Sequence, residues 1–138
     1  MKITARVEYA VLALFELALK ASGLPVQARE ISEAQGIPLR FLEQILIQLK
    51  KAGLVRSVRG AAGGYLLGKP ASDMSLRDVV EAVEGELTLL DPRLPPESIV
   101  SLVWREIEKE FLVKLESVTI QDLVGRKTRR DGILSFQI

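Results

Sequence analysis

Neither cysteine nor histidine occurs in this chain. The first absence rules out disulfides, thiolate metal ligands and iron–sulfur clusters held by cysteine. The second removes the commonest general base and a common metal ligand. With no convergent carboxylate pair either, an enzyme is disfavoured. Long apolar runs are also missing. No stretch approaches the roughly 20 apolar residues of a membrane span, and Glu8 and Glu16 interrupt anything resembling a signal peptide. A soluble, cytoplasmic protein without membrane association is expected.

What is present is apolar material for a core. Hydrophobic residues make up 48% of the 138-residue chain, at a mean hydropathy of +0.20. That length fits one domain, or one domain plus an oligomerisation arm. Net charge is +1 but unevenly shared. Residues 1–70 hold ten Lys/Arg against five Asp/Glu, a balance of +5, and residues 71–138 hold nine against thirteen, or −4. A basic N-terminal half suits a phosphate-facing module, although so small an imbalance also arises by chance.

The informative stretch is Gly36–Leu67, GIPLRFLEQILIQLKKAGLVRSVRGAAGGYLL. Leu42, Ile45, Leu46 and Leu49 recur at helical spacing and define a buried face. Pro38 suits the first helical turn, and Gly53 the left-handed stop after Lys50 and Lys51. Leu54, Val55 and Val58, then Tyr65, Leu66 and Leu67, read as two strands around the tip Arg59-Gly60-Ala61-Ala62-Gly63-Gly64. Ahead of this, Thr4 caps a first helix reaching about Ala21, with Val7, Ala10, Val11, Leu14, Phe15 and Ala18 inward. Val26, Ala28, Ile31 and Ala34 give a short second helix ending at Gly36. Two short helices joined by about three residues fit a helix-turn-helix. An ordinary helical hairpin is the plainer reading, and the strand pair that follows weighs against it.

Downstream, Ser75-Leu76-Arg77-Asp78 opens a capping-box helix running to Gly85. Residues 86–96 are irregular. A long helix spans about 96–116, with Ile99, Val103, Ile107, Phe111 and Leu115 at four-residue spacing and Trp104 widening the stripe. So broad an apolar face on a peripheral helix predicts a homodimer through Ile99, Val103, Trp104, Ile107 and Phe111; packing within one chain is the alternative. Thr119 starts a last short helix. The run Arg126–Arg130 reads as a solvated linker, and Leu134, Phe136 and Ile138 alternate like a strand. The expected fold is mainly α with a small β-hairpin: a winged helix-turn-helix over residues 1–85, then linker, dimerisation helix and tail over 86–138.

Removing the buried positions from the third helix leaves Pro38, Arg40, Phe41, Glu43 and Gln44 to face a major groove, which recognition helices enter N-terminus first. Gln44 can bond adenine, Glu43 a cytosine amino group, and Arg40 guanine or phosphate. Arg59 at the tip suits a narrow minor groove, Gly60 allows the turn there, and Arg56 and Lys51 suit phosphates. A merely solvated face is the bland reading of the helix. The tip does not read as a nucleotide loop, because it lacks GK[ST] and leads into a strand.

FLEQIL, KKAGLVRSVRGAAGGYLL and SLRDVVEAVEG, with the opening KITARVEYAVLAL and the closing SVTIQDLV, resemble the Rrf2 family of bacterial transcription regulators across nearly the whole chain. The resemblance implies winged-helix homodimers on palindromic double-stranded DNA operators, usually as repressors. It also implies base reading at Pro38, Arg40, Phe41, Glu43 and Gln44, with Arg59 on the wing. Serine and tyrosine are commoner at the positions of Pro38 and Phe41, which removes two hydroxyl contacts here. Many members carry three cysteines for an iron–sulfur cluster where this chain has ELTLLDPRLPPES over residues 86–98. Glu8 matches a carboxylate ligand of some members but cannot hold a cluster without thiolates. A chain without cofactor is therefore expected, similar to the cysteine-free branch that includes a repressor of cysteine metabolism. That branch implies a metabolic-enzyme partner of the kind of cysteine synthase. A protein-interaction module that keeps the fold is the alternative function.

Overall fold

A computed structural model describes residues 2–136. Thr4 opens helix α1 (Ala5–Leu19), its hydroxyl accepting from the Val7 amide at 3.3 Å. Val7, Ala10, Ala13, Leu14 and Leu17 are buried. The inward stripe is thus rotated from the expected one, and Val11, Phe15 and Ala18 are only half-buried on its flank.

Helix α2 (Ala28–Gln35) and helix α3 (Leu39–Lys51) form the helix-turn-helix. Gly36 takes the left-handed conformation at φ 65°, ψ 32° that a Cβ disfavours. The Ile37 amide donates to the Ser32 carbonyl at 3.0 Å, and the Ser32 hydroxyl donates back to the Ile37 carbonyl at 2.5 Å. With Ile37 buried, this turn is held from both sides. Pro38 is the N-cap residue of α3, one position ahead of the helical turn expected for it. Leu42, Ile45, Leu46 and Leu49 are all buried, as their spacing requires, and burying each is worth about 1.5–3 kcal/mol.

Strands β1 (Val55–Val58) and β2 (Gly64–Leu67) pair antiparallel, Val55 opposite Leu67 and Val58 opposite Gly64. Val26 is not helical. It bridges the hairpin to the body, exchanging backbone hydrogen bonds with Tyr65 at 2.9 and 2.8 Å. A β-branched residue just ahead of a helix favours this extended conformation.

A 3-10 turn (Ala71–Asp73) leads to α4 (Leu76–Glu84). The Ser75 and Asp78 side chains and amides bond reciprocally at 3.0 and 3.1 Å, so aspartate completes the capping box. Helix α5 (Ile99–Ser117) and helix α6 (Ile120–Phe136) follow.

Here the tail departs from expectation. The last helix is long, the Arg126–Arg130 run lies inside it rather than in a linker, and Leu134 and Phe136 are helical rather than strand. Ile138 lies outside the described residues. Tertiary anchoring explains the difference. The Leu76 amide bonds the Val118 carbonyl at 2.8 Å, and the Ile120 amide bonds the Met74 carbonyl at 2.9 Å. These bonds place fully buried Ile120 in the core, and α6 then packs along α1.

Candidate nucleic-acid interface

The outer face of α3 presents Arg40, Phe41, Glu43, Gln44 and Ile47 to solvent, with exposed Pro38 at its start. Phe41 is 53% exposed, too much for a residue whose purpose is core packing. The first turn of α3 carries no acidic residue and its N-cap makes no side-chain bond. Its leading amides therefore remain available to an anion, on the positive end of the helix dipole. Lys50 and Lys51 stand at the opposite end, in the last turn.

The hairpin is fixed to α3 as well as to Val26. The Lys50 ammonium donates to the Ser57 hydroxyl at 2.7 Å. Alternation along β1 puts Arg56 on the opposite hairpin face from Ser57. There it lines a shallow cavity with Lys20, Leu24 and Tyr65, away from α3. Arg59 follows β1 directly and is exposed at the tip. Gly60 sits at φ 109°, and the Gly63 amide closes the tip turn onto the Gly60 carbonyl at 3.0 Å. A Cβ at Gly63 would stand 2.1 Å from the Val58 carbonyl oxygen, so the tip's path depends on glycine there.

Arg40, Lys51, Arg56 and Arg59 have no carboxylate within ion-pair distance among the described residues; the ion pairs lie elsewhere, as at Arg77–Glu81 and Arg93–Asp91. Cations left unpaired keep their charge for phosphates, and Arg40 and Arg59 do so on the α3 and hairpin-tip side. Sequence reasoning missed Arg6, whose guanidinium donates to the Gln48 side-chain oxygen at 2.6 Å and brings the start of α1 beside α3. No periodic signal reveals a contact between residues 42 apart.

Helix α5 is the other conspicuous surface. Ile99 is 80% exposed and Val103, Trp104 and Ile107 nearly half, whereas Phe111 is half-buried against its own domain. Among the described residues, no helix is long and apolar enough to cross a membrane.

A helix-turn-helix whose recognition helix is followed by a pinned hairpin, with a long helix beyond, defines a winged helix-turn-helix transcription regulator. The Rrf2 family, described as an iron-dependent transcriptional regulator, matches residues 3–126, and the chain belongs to it. It is 37% identical over 132 residues to a helix-turn-helix-type transcriptional regulator of Mycobacterium tuberculosis, covering 91% of this chain and 82% of that one. It is 35% identical over 133 residues to the regulator IscR of Escherichia coli, covering 92% and 82%. Among solved structures, T. potens IscR superposes with a TM-score of 0.77 at 35% identity, covering 92% of this chain and 88% of that one. CymR, the global cysteine regulator of B. subtilis, gives 0.74 at 27%, covering 91% and 98%. These relatives are regulators, not enzymes.

The family description names iron, and the donor set here does not fit it. The chain has no cysteine or histidine, and among the described residues no three or more carboxylates gather to hold a metal ion. Hard carboxylate oxygens alone suit Mg²⁺ or Ca²⁺ better than an iron–sulfur centre.

Proposed function

We propose that this protein is a cytoplasmic, sequence-specific DNA-binding repressor that occupies an inverted-repeat operator as a homodimer, without an iron–sulfur cluster. One observation carries the proposal: α3 exposes a polar reading face while Arg59 stands free at the tip of a hairpin tied to that helix through Lys50 and Ser57. Arg40, Glu43 and Gln44 enter the major groove, with Pro38 and Phe41 at its edge making apolar contacts such as those with thymine methyls. Arg59, on the turn made by Gly60, reaches the adjacent minor groove, and Lys51 meets a phosphate, whereas Arg56, turned away from α3, is left out of this contact set. Residues 1–85 form the reading head and 86–138 the assembling arm, through Ile99, Val103, Trp104, Ile107 and Phe111. The comparisons lend no support to an enzyme partner such as cysteine synthase.

Selection of bound sequences from a random DNA pool tests the reading. An inverted repeat with half-site centres about one helical turn apart, or a multiple, is expected. Gln44→Ala should then cost about 1–3 kcal/mol and relax preference at one base pair per half-site. An unchanged preference in that variant would show that α3 does not read bases through this face.

A further inference from the structure

We propose that Arg6, held in place by Gln48, is a DNA-backbone contact that brings the start of α1 onto the operator. The contact rests on the operator binding proposed above and adds α1 to the elements that touch DNA. Arg6 is exposed in the first turn of α1, and its guanidinium donates to the Gln48 side-chain oxygen at 2.6 Å. At 3.6 residues per turn, Gln48 projects from α3 roughly 40° from Gln44 and about 20° from Phe41. It therefore continues the flank of the exposed α3 face on which Phe41 stands, about 10 Å further along the axis. Ile45 and Leu49, on its other side, are buried. The Arg6 guanidinium thus lies beside the edge of the reading face, where the backbone that borders a major groove runs.

Its surroundings suit this side chain to a phosphate. Gln48 is neutral, so its carbonyl orients the guanidinium without cancelling the charge. Arg6 has no carboxylate within ion-pair distance among the described residues. Glu8, the nearest acidic residue in sequence, projects roughly 160° away round α1 and borders a groove with Arg126 and Arg130 of α6 instead. A guanidinium carries several N–H donors in a planar fork, and one bond to Gln48 leaves enough for a bidentate phosphate contact. The backbone beneath it is fixed as well. Thr4 caps α1 through the Val7 amide, and its hydroxyl donates to the Glu84 carboxylate on α4 at 2.8 Å. A cation held from both ends gives up little freedom on binding.

The intact chain and its selected operator supply the test. Arg6→Gln, Arg6→Lys and Gln48→Ala are compared with wild type in salt titrations of operator binding. Urea melts report stability, and phosphate-ethylation interference reports backbone contacts. Arg6→Gln should lower affinity about tenfold and flatten the slope of log affinity against log salt by about one for each half-site. Ethylation should cease to interfere at one phosphate per half-site and still interfere at the others, with the selected sequence unchanged. Arg6→Lys, which keeps the charge, should restore the slope. Gln48→Ala should keep the slope and weaken binding less than Arg6→Gln does; unchanged affinity in it would refute the positioning role. Wild-type slope and interference in Arg6→Gln, with affinity lost only as stability is lost, would reduce the Arg6–Gln48 bond to a brace. That result overturns the contact and leaves operator binding standing. A random pool that yields no preferred sequence overturns both.

Discussion

Gly64→Ala isolates the attachment of the wing to the body. Gly64 has φ 148°, a conformation L residues rarely adopt, and a Cβ there would lie 2.5 Å from the Val26 carbonyl oxygen and 2.6 Å from its carbon. Both atoms are backbone, so relief requires the hairpin to move off Val26. That movement breaks the two Val26–Tyr65 hydrogen bonds, at roughly 0.5–1.5 kcal/mol each. Backbone strain adds about 1–3 kcal/mol. The sum, roughly 2–6 kcal/mol, is a large share of the typical 5–15 kcal/mol stability of a domain. Gly60→Ala is the control. Its φ of 109° carries strain, but nothing described lies within 4 Å of the added Cβ, so only the strain part remains. Urea melts of both variants, with operator affinity measured where each is fully folded, separate the contributions. Gly64→Ala should melt earlier than Gly60→Ala and lose affinity beyond its loss of stability, because Arg59 moves with the hairpin. Equal midpoints for the two variants would refute the assignment of the Val26 bridge as the wing's anchor.

The other predictions concern separate parts of the molecule. Lys51→Ala should leave sequence preference intact and reduce the slope of log affinity against log salt by about one, measured in a salt titration of operator binding. Ile107→Glu should yield monomers or aggregates in sedimentation and abolish operator binding; a dimeric, binding variant would remove α5 from the interface. Protein purified anaerobically from iron-replete cells should be colourless, with operator affinity unchanged by nitric oxide or peroxide; stoichiometric iron and sulfide would contradict the donor chemistry. The Thr119 amide and hydroxyl hold the Asp122 carboxyl below its ordinary range. Its folded pKa is depressed, so its contribution is present above about pH 4, the ordinary unfolded value, and is lost as pH falls through the lower folded value. Asp122→Ala should therefore flatten the acid limb of the helix signal against pH.

Much of the head was legible because its signals are local. The α3 stripe, Gly36, Gly53 and the Ser75–Asp78 box each act within a few residues, and each stands where expected. Subtracting the buried face of α3 leaves Arg40, Phe41, Glu43 and Gln44, and all four are exposed. The misreadings came where distant residues decide. Val26 reads as part of α2 in sequence because its bridge partner Tyr65 is 39 positions away. In α6, the basic run Arg126–Arg130 reads as a linker from sequence alone. Packing on α1, the Thr119–Asp122 cap and the i,i+4 Lys127–Asp131 pair keep the segment helical instead. Alternation of Leu134 and Phe136 was too short to outweigh a helix already propagating toward them. Arg56 shows the same limit at the interface, since pairing register decides which hairpin face it takes.

The segment between head and arm shows how a chain of this family keeps its shape without the donors that iron needs. At residues 86–98, where the resemblance places cysteines in other members, this chain uses carboxylates already committed to protein partners. Glu108 on α5 accepts from the Leu89 amide at 2.7 Å and from the Thr88 hydroxyl at 3.4 Å. Asp91 accepts from the Arg93 amide at 2.9 Å and pairs with its guanidinium at 2.6 Å, contacts that hold its carboxyl below the usual range. A metal taking Asp91 or Glu108 would have to displace these bonds, and it would find no thiolate or imidazole to complete its coordination. The Glu108 bonds also tether residues 88–89, at the start of the arm, to α5.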